Sequence, residues 1–172
     1  MTRTRPSLAV AAVVFTAACS GTPAPPPSFP AVESRVDALI ARVRAEDGFT
    51  VDPRSGQEPT TGYVVGSARD ARVVPAADLF GDGGRELLLG YLRDNAGHFT
   101  ADPAVDLGAW YDRGGERVVL SLVSVVADRD SALRLGVRNN QRLVYDVAGR
   151  AKLPTGVEVT PTTAGTARSD GS

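Results

Sequence analysis

The chain has 172 residues with 19 basic and 20 acidic side chains, a length that suits one globular domain once the ends are excluded. Because the charge is balanced and no run of Lys or Arg occurs, the composition argues against phosphate-backbone binding as a main function, and we expect no nucleic-acid partner. The chain has a single Cys and a single His, so it cannot form an internal disulfide. Any Cys/His zinc site or Ser-His-Asp triad would have to use Cys19 or His98. We therefore expect no metal ion and no cofactor.

Residues 1–18 have the pattern of a signal peptide. Arg3 and Arg5 form a short positive segment, and the uncharged, mostly apolar residues 7–18 follow it. Such a run suits a secretory signal but is shorter than the roughly 20 apolar residues that a membrane-spanning helix needs. We therefore expect a protein that is exported from the cytoplasm.

The end of this segment, Thr16-Ala17-Ala18-Cys19, resembles the lipobox of bacterial lipoproteins, with Thr16 where Leu is usual. The resemblance implies that Cys19 becomes the first residue of the mature chain and carries a lipid anchor that includes a fatty acid such as palmitate. The protein would then be held on the outer face of the cell membrane, since each buried CH₂ contributes about 0.8 kcal/mol. The alternative is a general secretory signal, which would release the protein unanchored.

Residues 19–30 are rich in Pro, which favours a stiff, extended tether, and the globular domain is predicted over residues 31–158. Its first helix is predicted over residues 31–46, where apolar side chains recur with the helical period as far as the stop signal Asp47-Gly48. The polar residues 159–172 lack core-forming side chains and are predicted to be a disordered tail.

Short strands and turns follow the first helix. Residues 52–62 contain three turn signals with Pro or Gly and are predicted to form a structured loop. Three short strands are predicted around this loop, at residues 49–51, 63–65 and 72–74.

Residues 78–86, DLFGDGGRE, are similar to a calcium-binding loop. Phe80 offers no oxygen at an early ligand position, so a glycine-rich turn that leads into a helix over residues 85–99 is the preferred interpretation. His98 lies near the end of that helix, where a cation is favourable, and it is predicted to have this structural role rather than a catalytic one.

The C-terminal half predicts a hairpin and a strand–helix–strand unit. Trp110-Tyr111 precede a turn at residues 112–115, and the Val-rich residues 118–126 form the strongest strand, apolar on both faces as is typical of a central strand. A helix is predicted from Asp128 to about Asn140, followed by a strand over residues 143–147. The whole pattern predicts an α+β fold, one small domain in which a short mixed sheet packs with about three helices.

Three segments together resemble an uncharacterised domain of lipoprotein type from actinobacterial and related bacterial proteins. They are residues 48–66 (GFTVDPRSGQEPTTGYVVG), 107–112 (LGAWYD) and 132–147 (ALRLGVRNNQRLVYDV), with a later PTG at 154–156. The resemblance implies a common fold and an actinobacterial source, but no assigned activity, so it transfers no catalytic residue.

We expect a surface binding or interaction module rather than an enzyme. Asn139, Asn140 and Gln141 supply amides that can read the hydrogen bonds of a peptide or sugar, and Trp110 and Tyr111 supply aromatic rings for stacking. The expected partner is an extracytoplasmic protein or glycan. The competing structural interpretation is that the amides cap a helix end and that Trp110 lies in the core.

Two other functions stay open. An envelope hydrolase would use two carboxylates from Asp52, Asp112 and Asp146, which lie beside turns or strand ends. An inhibitor or immunity-type protein would present the proline-containing loop 52–62 to its target. The sequence contains no P-loop, dinucleotide-binding fingerprint or HExxH motif.

Overall fold

An antiparallel sheet with helices packed on one face forms the body of the protein, which the computed structural model describes for residues 27–157. The helices are α1 (Pro30–Glu33), α2 (Val36–Glu46), α3 (Ala76–Phe80), α4 (Gly84–Asp94), α5 (Ala96–Ala101) and α6 (Arg129–Arg138). The strands are β1 (Gly48–Val51), β2 (Tyr63–Gly66), β3 (Arg72–Pro75), β4 (Val105–Asp112), β5 (Arg117–Val126), β6 (Leu143–Asp146) and β7 (Ala151–Pro154). The predicted α+β fold is confirmed, but the sheet and the number of helices are larger than expected, and the strand pairs described are antiparallel rather than mixed.

The strand order is β1-β4-β5-β2-β6-β7, and β3 pairs with β5 beside β2. The prediction that β5 is central is confirmed, because β5 pairs with β4 on one side and with both β2 and β3 on the other. Since β5 and β6 are both antiparallel to β2, α6 connects two strands that run parallel to each other but are separated by β2.

The β4–β5 hairpin is the longest pairing in the sheet and extends from Val105–Ser124 to Asp112–Arg117. A short 3-10 turn over residues 113–115 joins the two strands. The Asp112 carboxylate accepts a hydrogen bond from the Gly115 amide at 3.2 Å, which closes the turn.

The helix-covered face of the sheet carries the hydrophobic core. Leu107 pairs with Leu122 and with Val51, and all three side chains are buried. Paired residues point to the same face, so the alternate residues of β1, β4 and β5 pack against α2, α4 and α5 in one cluster. A smaller cluster joins Val65 and Val144 to Ala132 of α6 on this same face.

Two of the predicted helices are interrupted. The helix expected over 31–46 is broken at Ser34-Arg35 into α1 and α2. The helix expected over 85–99 ends at Asn95, whose buried side-chain amide donates to the Tyr91 carbonyl at 2.9 Å. An Asn side chain that bonds to its own preceding turn competes with the helical backbone, and the chain restarts as α5.

The last strand of the sheet is the one that the sequence did not predict. β7, with the sequence AKLP, was not predicted, because four residues without a run of β-branched side chains give a weak strand signal. Among residues 27–157, no helix has the length and apolar character needed to span a bilayer.

Candidate functional site: the open face of the sheet

The second face of the sheet carries no packed helix within residues 27–157. We call it the open face, and the register assigns to it the residues that alternate with the core positions. Its main side chains are Thr50, Val64, Val73, Asp106, Trp110, Val119, Ser121, Val123, Leu143, Tyr145 and Lys152. Val73 is 58% exposed and Leu143 41% exposed, so two of the most exposed large hydrophobic side chains described lie here.

The open face is concave because the sheet curls. Lys152 on β7 is separated from β4 by four strand-to-strand steps, which would be roughly 19 Å across a flat sheet. The Lys152 Nζ nevertheless lies 4.2 Å from the centroid of the Trp110 ring and 3.9 Å from the Asp47 carboxylate. This cation–π contact therefore brings the β7 corner of the sheet back over the β1–β4 corner.

Two glycines shape the floor of the open face. A Cβ on Gly108 would lie 2.5 Å from a Val123 methyl group, and a Cβ on Gly66 would lie 2.7 Å from the Gln141 side-chain oxygen. The glycines therefore let Val123 and Gln141 lie flat across the strands. Gln141, which follows α6, thus reaches the face opposite to the one that α6 covers.

Several polar side chains on the open face have no hydrogen bond to protein. Within residues 27–157, none forms to the side chains of Thr50, Ser121, Tyr145 or Lys152, or to the indole N–H of Trp110. Besides its cation–π contact with Trp110, Lys152 has an ionic contact with Asp47 at 3.9 Å. No buried side-chain N or O atom in the described part of the chain lacks a partner, so these polar atoms reach solvent.

A carboxylate pair lies at one end of the open face. Asp52, one residue beyond the last β1–β4 pair, lies beside Asp106 on β4, and Arg54 contacts both carboxylates, at 2.7 Å and 3.7 Å. Burial and then the Asp52 charge raise the pKa of Asp106, against the opposing effect of Arg54. Burial opposes ionisation of Asp52 as well, but hydrogen bonds from Ser55 and Arg54 outweigh it and lower the pKa of Asp52.

The predicted aromatic pair is divided between the two faces. Trp110 lies half-buried on the open face, whereas Tyr111 points to the helix side, where its ring packs edge-on against Phe80 with centroids 5.1 Å apart. The Arg113 guanidinium lies over the same Tyr111 ring, 5.1 Å from its centroid. Adjacent residues on a strand point in opposite directions, so Trp110 and Tyr111 do not form one stacking surface.

The predicted amide cluster forms the end of α6. The Gln141 amide donates to the Gly136 carbonyl at 2.8 Å and the Asn140 amide to the Val137 carbonyl at 3.0 Å. Asn140 has φ +53°, so the segment is a Schellman motif with Asn at the left-handed position. The Asn139 side chain donates to the Gly66 carbonyl at 2.9 Å. The Gln141 side chain lies on the open face, against Gly66.

The other candidate residues are separated from one another. Asp112 pairs with Arg117 at 3.0 Å, and the Asp146 carboxylate accepts from the Gly149 amide at 2.9 Å in the β6–β7 turn. Asp52 is the one acid of the three that has a carboxylate neighbour, and that neighbour, Asp106, was missed. The alternation Val105-Asp106-Leu107 is the sequence signal that places it on the open face once β4 is recognised as a strand.

Loop 52–62 is bound to the body at several points. The Arg54 guanidinium donates to the carbonyls of Phe99, Asp102 and Pro103 at 2.9, 3.0 and 2.8 Å. Glu58 pairs with Arg35 and with Arg42 of α2. The loop therefore holds α2 and the start of β4 together.

The remaining predicted sites add no further chemistry. Residues 78–86 form the end of α3, a turn and the start of α4 rather than a ligand loop, and residues 27–157 contain no group of three His, Cys, Asp or Glu side chains suited to a metal ion. His98 lies in α5 and pairs with Asp70 at 3.3 Å. Cys19, the predicted lipidation site, lies outside the described residues, as do the predicted signal peptide and the predicted tail of residues 159–172.

Comparison with protein-family models, with curated proteins and with solved structures gives no match to this chain.

Proposed function

We propose that the mature protein is a lipid-anchored extracytoplasmic binding module that presents the open face of its sheet to a partner in the cell envelope. The observation that carries the proposal is a concave sheet face with no helix over it in residues 27–157, on which a half-buried Trp110 lies among exposed apolar and unpaired polar side chains. Continuous exposed surfaces of this kind are typical of interaction sites.

The position at which the tether joins the domain supports a binding role for the open face. Phe29, the last residue before α1, is buried and packs edge-on against Phe99 at 5.7 Å, on the helix side of the sheet. The residues of the tether that precede it, 19–28, would span roughly 31 Å as a polyproline II segment. A tether that joins the helix side leaves the open face free for a partner.

The lipid anchor is tested by replacing Cys19 with Ala in the source organism. The wild-type protein is expected in the membrane fraction and the variant in the medium, because no acyl chain can then be attached. A variant that stays in the membrane fraction would contradict anchoring through Cys19.

The binding face is tested with a photo-crosslinking amino acid placed at Val73 of the open face, in intact cells. Val137 on α6 is the matched control, because it is 50% exposed but lies on the helix side. Specific adducts are expected from position 73 and not from position 137. Equal adducts from both positions, or none from position 73, would contradict the assignment of the binding face.

An envelope hydrolase is the second candidate function, and the Asp52–Asp106 pair favours it. Environments that push the pKa values of two neighbouring carboxyl groups apart are a feature of acid–base catalysis. The hydrolase is second because three hydrogen bonds from its own loop already occupy the Asp52 carboxylate. Hydrolysis of labelled envelope material that is abolished by both Asp52→Asn and Asp106→Asn would make it the leading function.

A further inference from the structure

We infer that the partner bound on the open face is a glycan, specifically an uncharged oligosaccharide segment that lies along β4 and β5. The inference rests on the proposed binding function and names the chemical class of its ligand. It follows from three features of the face: polar groups without protein partners, a single indole among them, and balanced charge.

The polar side chains in the middle of the open face favour a hydroxyl-rich ligand. Thr50 and Ser121 lie on either side of Gly108 in one cross-strand row, and within residues 27–157 neither hydroxyl has a hydrogen-bond partner. An apolar protein surface placed over this row would bury these groups unpaired, which is unfavourable. The hydroxyl groups of a sugar would pair with them. On the helix side, by contrast, the buried Tyr91 hydroxyl donates to the Asp70 carbonyl at 3.0 Å.

Trp110 and Lys152 form the aromatic end of the proposed site. The indole N–H can donate to a sugar hydroxyl, and the edge of the ring offers an apolar surface beside it, since such rings combine an apolar body with a polar atom. The Lys152 ammonium covers the ring at 4.2 Å and makes no hydrogen bond within residues 27–157. A sugar that approaches the indole therefore meets a cationic donor beside an apolar surface.

Asp106 forms the opposite end of the site. It lies four residues from Trp110 on the same face of β4, about 13 Å away along the strand, a span that suits a short oligosaccharide rather than one sugar ring. The Asp106 side chain is 16% exposed, and its carboxylate lies 3.7 Å from the Arg54 guanidinium. Lys152 and Asp106 balance one another in charge, which is why an uncharged glycan is proposed.

The test uses the fluorescence of Trp110, the one tryptophan of the chain. The protein is the chain from residue 19 to 172 with Cys19→Ala, which includes every residue of the described body. The probes are the neutral hexasaccharides of N-acetylglucosamine and of glucose, with the corresponding monosaccharides as references. A saturable change with at least one hexasaccharide, and weaker binding of its monosaccharide, is expected.

Two tyrosine variants make the test specific for the open face. Tyr145→Phe removes a hydroxyl from the open face beside Lys152, which lies at the aromatic end of the proposed site, and Tyr111→Phe removes one from the helix side. Neither hydroxyl has a hydrogen bond within residues 27–157, so neither variant is expected to change the free energy of unfolding. Tyr145→Phe should weaken hexasaccharide binding about threefold to tenfold, the effect of one lost hydrogen bond, and Tyr111→Phe should leave it unchanged.

The outcomes separate the glycan from the binding module itself. No saturable change with either hexasaccharide overturns the glycan assignment, and equal effects of the two tyrosine variants overturn its location. If position 73 crosslinks specifically to an envelope protein and no hexasaccharide binds, the binding module stands and the glycan inference falls. If position 73 gives no adduct and no hexasaccharide binds, both fail.

Discussion

Replacing Arg54 with Ala is expected to destabilise the protein by about 2–3 kcal/mol, because this side chain joins loop 52–62 to the segment before β4. Its guanidinium donates to the Asp52 carboxylate at 2.7 Å and to the carbonyls of Phe99, Asp102 and Pro103 at 2.8–3.0 Å.

The size of this destabilisation depends on which of the Arg54 acceptors can bond to water once the side chain is removed. The carbonyls of Asp102 and Pro103 are exposed and can bond to water when Arg54 is removed, so their net contribution is small. The bonds to Asp52 and to the Phe99 carbonyl are partly buried, and each contributes about 1–1.5 kcal/mol as a net hydrogen bond. The Arg54 side chain is 29% exposed, which limits any additional ionic contribution.

Urea denaturation followed by circular dichroism measures the effect. Arg117→Ala is the control, because Arg117 is 55% exposed and its ion pair with Asp112 is expected to contribute less than about 0.5 kcal/mol. Arg54→Lys should fall between the two, since it keeps the charge but not the planar donor geometry. The reasoning is refuted if Arg54→Ala and Arg117→Ala lower the free energy of unfolding equally.

Three further predictions concern the open face and the helix junction. Burial raises the folded-state pKa of Asp106, so the stability linked to its protonation is present at low pH and is lost as the pH rises through that pKa. Asp106→Asn should therefore raise the free energy of unfolding at pH 7, and this gain should disappear below about pH 4, the ordinary range of an Asp carboxyl, in urea titrations at both pH values. Gly84→Ala should lower the free energy of unfolding by more than about 2 kcal/mol, because the added Cβ would clash with the Leu79 carbonyl oxygen. Gly83→Ala is the control in the same assay and should not cause a loss of this size, because a Cβ at Gly83 would have no atom within 4 Å. Lys152→Ala should lower stability by about 0.5–1 kcal/mol and shift the emission maximum of the single tryptophan; unchanged emission would contradict the cation–π contact.

The parts of the fold that were predicted from the sequence depend on local patterns. The Val-rich residues 118–126 have high β propensity and predict the strongest strand, and β5 is the strand that pairs along both of its edges. The turn at 112–115 carries two glycines between apolar segments, so the β4–β5 hairpin is also visible. Both features arise from residues close together in the chain.

The curled sheet depends on pairings that no local pattern contains. β1 pairs with β4, more than fifty residues later, and the last strand returns over Trp110 through one lysine. The open face was not predicted because its residues come from strands whose order in the sheet differs from their order in the chain. Trp110 and Tyr111, by contrast, could have been separated from the sequence, since neighbours on a strand always face opposite ways.

The amides after α6 provide a last prediction, because the structure gives each a different role. Asn139→Ala should destabilise the protein by about 1 kcal/mol, since it removes the bond that ties the end of α6 to the Gly66 carbonyl of β2. Asn140→Gly should raise stability by a few tenths of a kcal/mol, because glycine adopts the left-handed conformation at φ +53° without steric cost.

These two variants also separate structure from binding. The Asn139 side chain is bound to the Gly66 carbonyl and Asn140 supplies the left-handed residue at the end of α6, so both variants should bind the hexasaccharide as the wild type does, while their unfolding free energies move in opposite directions. Binding that is lost in Asn140→Gly, with stability retained, would show that the end of α6 contacts the ligand directly. The binding surface would then have to extend from the open face around the edge of the sheet to the helix side.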